Sequence, residues 1–498
     1  MGTTCDVRVE RGEDSMFLNW VTWPAVGLAF LVLSVIVLPG CEWTGEGRSI
    51  SSGQSVSVAE PTTAPTETPT PIFADVLPEN RPLKVLLVDH PTSKIIQNYI
   101  GEFEETAGVR VDVEIASFYE AHQKQLLDFG AGNNQYDVMM VIDTWLPEFA
   151  ISDNILNLSR QIRRLEQEGN RQWLSDIIPN VNVLLGQWQG RQVAIPLMAS
   201  AQILMYRKDL FEDADQQQAF ERFAGRPLAV PRTWAEFNEV ARFFTRAFNS
   251  ASPTQYGIAV AAQAGNSAAC QFQTVLWGVG GREFARRWRV TLNNQEGIKA
   301  MELWAEQAQY APPDAPNMYW YDMNRVFAAG EAAMQVQWDV FARELETSLD
   351  SAVRGKVGYA LVPGEPTPAP VIAGWVLVIN KNSARIPLAW EFIKWCCGPD
   401  LGYTINWEGG QVPRMSLYTD EKLRERFPHY ETALLSLEAA QQRTSFAPGG
   451  PTLPAQTQYE DIVGRAAHSA FIGDKLPQEA IDDAAEKLGA MLEQIGWR

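Results

Sequence analysis

Two short stretches join a carboxylate to an indole. Asp143 is followed two residues later by Trp145, and Trp338 stands directly before Asp339. A carboxylate accepts hydrogen bonds from hydroxyl groups, while an indole offers a flat apolar plane. The pair suits a small solute with many hydroxyls around an apolar face, held in a concave site. Buried polar groups left unpaired by a wrong solute cost affinity, so such a set also discriminates. Trp375 follows Ala373-Gly374, where a small residue would let backbone approach a ligand, and Trp277 lies in the glycine-rich run LWGVGG. Asp89 and His90 follow one apolar run much as Asp143 follows another, and Tyr119 is a further aromatic candidate. Plainer readings stand beside these. Asp143 and Asp89 could cap helices, His90-Pro91 could be a turn, and the tryptophans could be core.

The elements that must position these residues are legible. LKVLLVD (83–89) and DVMMVI (137–142) are short apolar runs, as buried strands are. Between them, residues 94–106 repeat apolar side chains at helical spacing up to Gly108, residues 109–116 alternate, and residues 120–129 are helical again. Strand–helix–strand–helix–strand predicts an α/β layer with parallel strands. Ligands favour the carboxyl ends of such strands, where Asp89 and Asp143 fall. Residues 190–196 and 203–206 read as strands leaving that layer. Helical spacing then dominates from Thr233 to about Leu345, including NRVFAAGEAAM (324–334). Strands are expected at 357–362 and 374–379, and helices at 387–397 and 476–495. Trp234, Trp304 and Trp390 lie within helical patterns and read as core.

Composition excludes some partners. The 498 residues hold 41 Lys and Arg against 60 Asp and Glu, so the basic footprint that phosphate backbones demand is missing. No nucleic acid is expected. Hydrophobic residues make up 46% of the chain, enough for a core, and 17 tryptophans exceed what packing alone asks for. The five cysteines are too few for a disulfide scaffold, and no Cys/His spacing suggests a metal site. No P-loop, dinucleotide-binding glycine fingerprint or Gly-x-Ser-x-Gly occurs, so no cofactor and no catalytic residue is assigned.

From Ser15 to Cys41 the chain carries no charge, and AVGLAFLVLSVIVL (25–38) is almost continuously apolar. An apolar run ending in small residues is export logic. Leu38-Pro39-Gly40-Cys41 resembles the lipobox of bacterial lipoproteins, with Cys41 as the lipid-bearing residue. The alternative is an uncleaved membrane anchor, since about 20 apolar residues span a bilayer. Met1 and Met16 are both possible starts. Either way the remainder is placed outside the cytoplasm. Residues 42–80 are rich in Ser, Thr, Pro and Glu and read as an extended tether.

Five further segments occur in a telling order. They are Tyr136-Asp137-Val138 with Asp143-Thr144-Trp145 and Phe149; GRQVAIP (190–196) with LMYRKDLF (204–211); PRTWAEF (231–237); FAAGEAAM (327–334) with Gln337-Trp338; and Gly374-Trp375 with AWEFI (389–393). Together they resemble the extracellular solute-binding proteins of family 1, which serve ABC sugar importers, over about residues 82–420. The resemblance implies a two-lobed periplasmic-binding-protein-like fold of type II, in which α/β lobes joined by crossing strands close by a hinge around the ligand. It implies that Trp338 approaches the ligand from the second lobe, and that Arg414, in Gln411-Val412-Pro413-Arg414, lies on a loop that faces the cleft. Arg414 could equally be a surface arginine.

The expected organisation is an export segment at 1–40, a lipid-attached tether at 41–80, a first lobe at 81–198 and about 374–412, and a helix-rich second lobe at 199–373 and about 413–498. The expected function is capture of a carbohydrate or polyol for an ABC permease by a monomer at the outer membrane face. The expected site comprises Trp338, Trp375, Trp145, Asp143, Asp89, His90, Tyr119, Asp339, Gly374, Arg414 and Trp277. Two alternatives stay open. One is a binding protein for a non-sugar solute; the other is a glycoside-processing enzyme, which would need a carboxylate pair beside the stacking indoles.

Overall fold

The computed structural model describes residues 81–132, 134–365, 367–443 and 452–497. Cys41 and the segments expected to export and tether the chain lie outside the described residues. The chain opens with β1 (Leu83–Val88), α1 (Pro91–Ala107), β2 (Val111–Ala116), α2 (Phe118–Ala131) and β3 (Val138–Ile142). Both β2 and β3 run parallel to β1, as the alternating pattern requires. Helix α1 starts where His90 accepts the Thr92 amide and Pro91 occupies the first turn, and it stops at Gly108, whose φ is +68°. A short helix α3 (Leu146–Ile151) follows β3.

Next comes β4 (Ile195–Arg207), a single 13-residue strand where the sequence suggested two shorter ones. Helix α4 (Trp234–Phe243) carries a capping box between Thr233 and Glu236. Then follow β5 (Tyr256–Ala259), α5 (Asn266–Gly278), α6 (Trp320–Ala328), β6 (Ala332–Trp338), β7 (Val357–Ala360), β8 (Ile372–Ile379), α7 (Ile386–Cys396), α8 (Tyr430–Ala439), α9 (Gln456–Phe471) and α10 (Pro477–Gln494). The segment NRVFAAGEAAM is therefore not one helix. Gly330, at φ +78°, reverses the chain after α6, and AAM enters β6. That strand lies between β4 and β5 and is buried along its length, Gln335 and Gln337 included.

These eight strands form one sheet in the order β2-β1-β3-β8-β4-β6-β5, with β7 also pairing with β4, and two short two-stranded ribbons lie outside it. Strand β4 does two jobs. Its first half pairs antiparallel with β8, from Ile195 to Ala201, and its second half pairs antiparallel with β6 and β7, from Gln202 to Arg207. The cores divide at the same place. One gathers buried residues from 83–201 and 372–440, the other from 203–371 and 453–492. The chain thus passes between cores on β4, just before β8, and between Ala440 and Leu453. Residues 413–440, assigned from sequence to the second lobe, contribute Leu417, Tyr418, Phe427, Tyr430 and Leu437 to the first. Helix α8 packs on β4, and the Ser436 hydroxyl donates to the Gln202 carbonyl, so this segment follows the strand rather than the chain's later course.

Candidate functional site

The junction on β4 brings the two indole-bearing stretches together. Trp375 of β8 is in register with Met198 of β4 and Ile142 of β3, while Trp338 of β6 is in register with Gln202. Those partners lie four positions apart along β4, a rise of about 13 Å. On the first core, Trp145 meets Trp375 edge to face at 6.2 Å, and Phe118 lies 4.6 Å from Trp145 and 5.9 Å from Trp375. His122 stacks on Trp145 at 4.2 Å. On the second core, Trp320 and Trp338 meet at 5.5 Å, again edge to face. Such pairs are preferred by the ring quadrupoles and fix each indole's plane.

Asp143 follows β3 and is 3% exposed. Its amide donates to the Gly374 carbonyl at 2.9 Å, and its Oδ1 accepts the Gly374 amide at 3.3 Å. Arg443 reaches both carboxylate oxygens, at 3.0 and 2.9 Å. Burial pushes the Asp143 carboxyl upward, while the Arg443 guanidinium favours its charged form. Burial alone would lower Arg443, but Asp143, Cys270 and Glu460 together raise it. The two groups are hydrogen-bonded to each other, as a buried ion pair must be to persist. Asp143 does not cap α3: that helix has Trp145 as its N-cap and no side-chain cap bond.

Asp339 is also at the junction and is fully buried. It accepts from the Ser200 hydroxyl, from the Ala201 amide at 3.1 Å and from Gln411 Nε2 at 3.0 Å. Burial pushes its carboxyl up to about 7 against the pull of those donors. Ser200 and Ala201 belong to β4, and Gln411 lies on a first-core loop, so this second-core carboxyl is bonded across the junction.

The other expected residues lie apart from this cluster or serve other ends. A Cβ on Gly374 would collide with the Met198 carbonyl and Leu185, so its smallness serves the approach of β8 to β4. Asp89 is exposed and paired with Lys94 at 2.9 Å. His90 caps α1, and burial lowers its imidazole to about 4, leaving it neutral near pH 7. Tyr119 is exposed and touches Phe118 edge to face. Arg414 is buried in the first core. It bonds the Cys397 and Trp173 carbonyls, pairs with Asp176 at 3.1 Å and covers the Trp173 ring. Trp277 ends α5, and its indole N–H donates to Glu283 at 2.9 Å within a buried set that includes Gln273 and Tyr459. Trp234, Trp304 and Trp390 are buried.

Sequence reasoning missed Ser200, Gln411, Phe118, His122, Arg443 and Glu460. Gln411 lies three residues before Arg414 on the very loop singled out, but the side chain turned to the junction is the glutamine. Arg443 follows α8 in a run without periodicity, so nothing local marked it. Among the described residues no helix is long and apolar enough to cross a membrane, and no group of His, Cys, Asp and Glu could hold a metal.

Comparison with known proteins fits this architecture. The sequence model of the bacterial extracellular solute-binding proteins matches residues 89–401. A mannitol-binding protein of Pseudomonas aeruginosa is 26% identical over 340 residues, covering 65% of this chain and 74% of its own. Among solved structures, an ABC transporter solute-binding protein of Agrobacterium radiobacter in complex with ribitol has a TM-score of 0.68 at 26% identity, over 82% of this chain and 100% of that one. A sugar-binding protein of Xanthomonas citri has a TM-score of 0.68 at 20% identity, over 84% and 98% of the two chains, a likeness of fold. The family match covers well over half of the sequence, on a sheet that passes from one core to the other: this chain belongs to the bacterial extracellular solute-binding protein family.

Proposed function

We propose that the protein captures a carbohydrate or polyol outside the cytoplasm, closes its two lobes around it and delivers it to the permease of an ABC importer. The observation that carries this reading is the pair of aromatic clusters, Trp145–Trp375 on one core and Trp320–Trp338 on the other, set on either side of the β4 junction. Indole planes meet the apolar face of a sugar or polyol, and the carboxyl groups of Asp143, held by Arg443, and of Asp339 offer hydrogen-bond partners for hydroxyls. The mannitol- and ribitol-binding relatives support a small polyhydroxylated solute. Binding by closure needs no chemical step, so the protein is read as a receptor without catalytic residues.

Lipid on Cys41 and the tether at 41–80 would keep the receptor near its permease, and it would act as a monomer. The first lobe would comprise about 81–201 and 372–440, and the second the rest. Titration calorimetry with mannitol, ribitol, maltose and a broad monosaccharide panel tests the reading. Saturable binding of one solute without product formation is expected. Heat from none of the panel, with intact folding by circular dichroism, would remove the sugar assignment; turnover of an oligosaccharide would replace it with an enzymatic one.

A further inference from the structure

The last passage between the cores carries a charged side chain that reaches into both. Arg443 lies between Ala440, the last residue of the first core, and Leu453, the first of the second core's final stretch. Its side chain is 3% exposed. Nη2 holds both oxygens of Asp143, which belongs to the first core's β3 edge. Nη1 holds Oε1 of Glu460 at 2.8 Å and lies 3.6 Å from Cys270 Sγ, both on helices of the second core, α9 and α5. Gln456 Nε2 also donates to that Glu460 oxygen at 2.8 Å and fixes it.

One guanidinium therefore satisfies a carboxylate from each lobe. The arrangement asks for arginine. Its planar fork offers separate N–H donors to two acceptors, whereas an ammonium is a single point charge. Taken away, it leaves two carboxyl groups without their shared donor in a nearly dry junction, where Glu460 disfavours the charged form of Asp143. Asp143 also loses the group that holds its oxygens beside Gly374.

We propose that Arg443 is a positioning residue that ties the two lobes in the closed arrangement, drawing Asp143 and Glu460 onto one guanidinium and fixing Asp143 for the solute. This rests on the closing motion proposed above and not on the identity of the solute. The tie needs no solute, so it draws the solute-free protein towards the closed arrangement, and closure and the setting of Asp143 become one event. Opening exposes all three groups to water, which pays for their separation and keeps the device reversible.

The test uses the full-length chain in detergent micelles matched out of neutron scattering, without solute, and then with mannitol as probe. Arg443→Met and Arg443→Lys should both raise the radius of gyration of the solute-free protein, and Glu460→Gln, which is milder and leaves Arg443 and Asp143 paired, should raise it less. Mannitol affinity should fall at least tenfold in Arg443→Met and by a smaller factor in Glu460→Gln. An unchanged radius in Arg443→Met, with native circular dichroism, overturns the tie. So does a loss of mannitol binding at unchanged radius, because Arg443 would then be a ligand contact only. If the parent binds no mannitol, the scattering arm still decides on the tie, since it needs no solute, while the failed binding counts against the proposed function.

Discussion

Replacing Asp339 by asparagine should make the protein more stable at neutral pH and leave it unchanged in acid. The carboxyl is fully buried at the junction, and burial lifts it from the usual 3.8 to about 7. A group whose folded value is raised keeps a proton that the unfolded chain has already lost. Its contribution to stability is therefore complete below about pH 4, falls as the pH rises towards 7, and is level above that. A rise of about three units corresponds to at most about 4 kcal/mol across the window. Asparagine stays neutral throughout, so the variant should not share this decline. It can also be accommodated. Its oxygen can accept from Ser200 and Ala201, and its amide needs an acceptor where Gln411 now presents Nε2. Gln411 Oε1 is buried without a partner, so a flip of that amide provides the acceptor. The assay is urea unfolding, followed by tryptophan fluorescence between pH 4.5 and 8.5, for parent and variant together. His90 and His429, which burial lowers to about 4 and about 3, are present in both proteins and cancel in the difference. The gap should open in favour of the variant as the pH rises. A gap that stays constant with pH, or a variant that is weaker at pH 8, would refute the assignment of that titration to Asp339.

Other substitutions separate the junction from its surroundings. Trp338→Ala should weaken solute binding by about 1–3 kcal/mol in calorimetry, because the loss of a buried stacking plane costs that much; unchanged affinity would remove Trp338 from the site. Trp277→Phe should leave affinity alone but lower stability by about 1–2 kcal/mol, since one Glu283 oxygen loses its indole donor. Arg414→Met should lower the melting temperature, by roughly 3 kcal/mol of stability, because Asp176 and two carbonyls lose their partner. A matching loss of affinity in the last two variants would return those residues to the site.

The layer that positions Asp143 was legible because its order is local. Apolar runs, helical spacing and a stop at Gly108 are read within windows of a dozen residues, and the parallel strands at 83–88 and 138–142 lie where the pattern put them. Family motifs then supplied the crossing topology that periodicity alone could not. What failed was whatever depended on distant pairing. Arg414 has the type and loop of a ligand contact, yet Asp176, 238 positions away, claims it. The AAM segment has helical composition, yet it becomes a strand because β4 and β5 flank it. Arg443 meets Asp143 across 300 positions, so no window could have joined them.

The chemistry of the junction follows from the same crossing. An apolar interface between lobes would gain roughly 25 cal/mol for each Å² buried, and a receptor built that way would resist reopening. Hydrogen bonds exchanged with water contribute far less net, about 1 kcal/mol each. Ser200, Asp339 and Gln411 at the β4 crossing, and Asp143, Arg443 and Glu460 at the last one, give contacts between the cores that are specific when made and inexpensive to release. The aromatic clusters lie beside these polar contacts rather than across them: Trp145 meets Trp375 within one core, and Trp320 meets Trp338 within the other. Each indole is thus held by its own lobe. In the proposed closure, joining the two aromatic surfaces would fall to the solute, which would then be the main source of apolar contact.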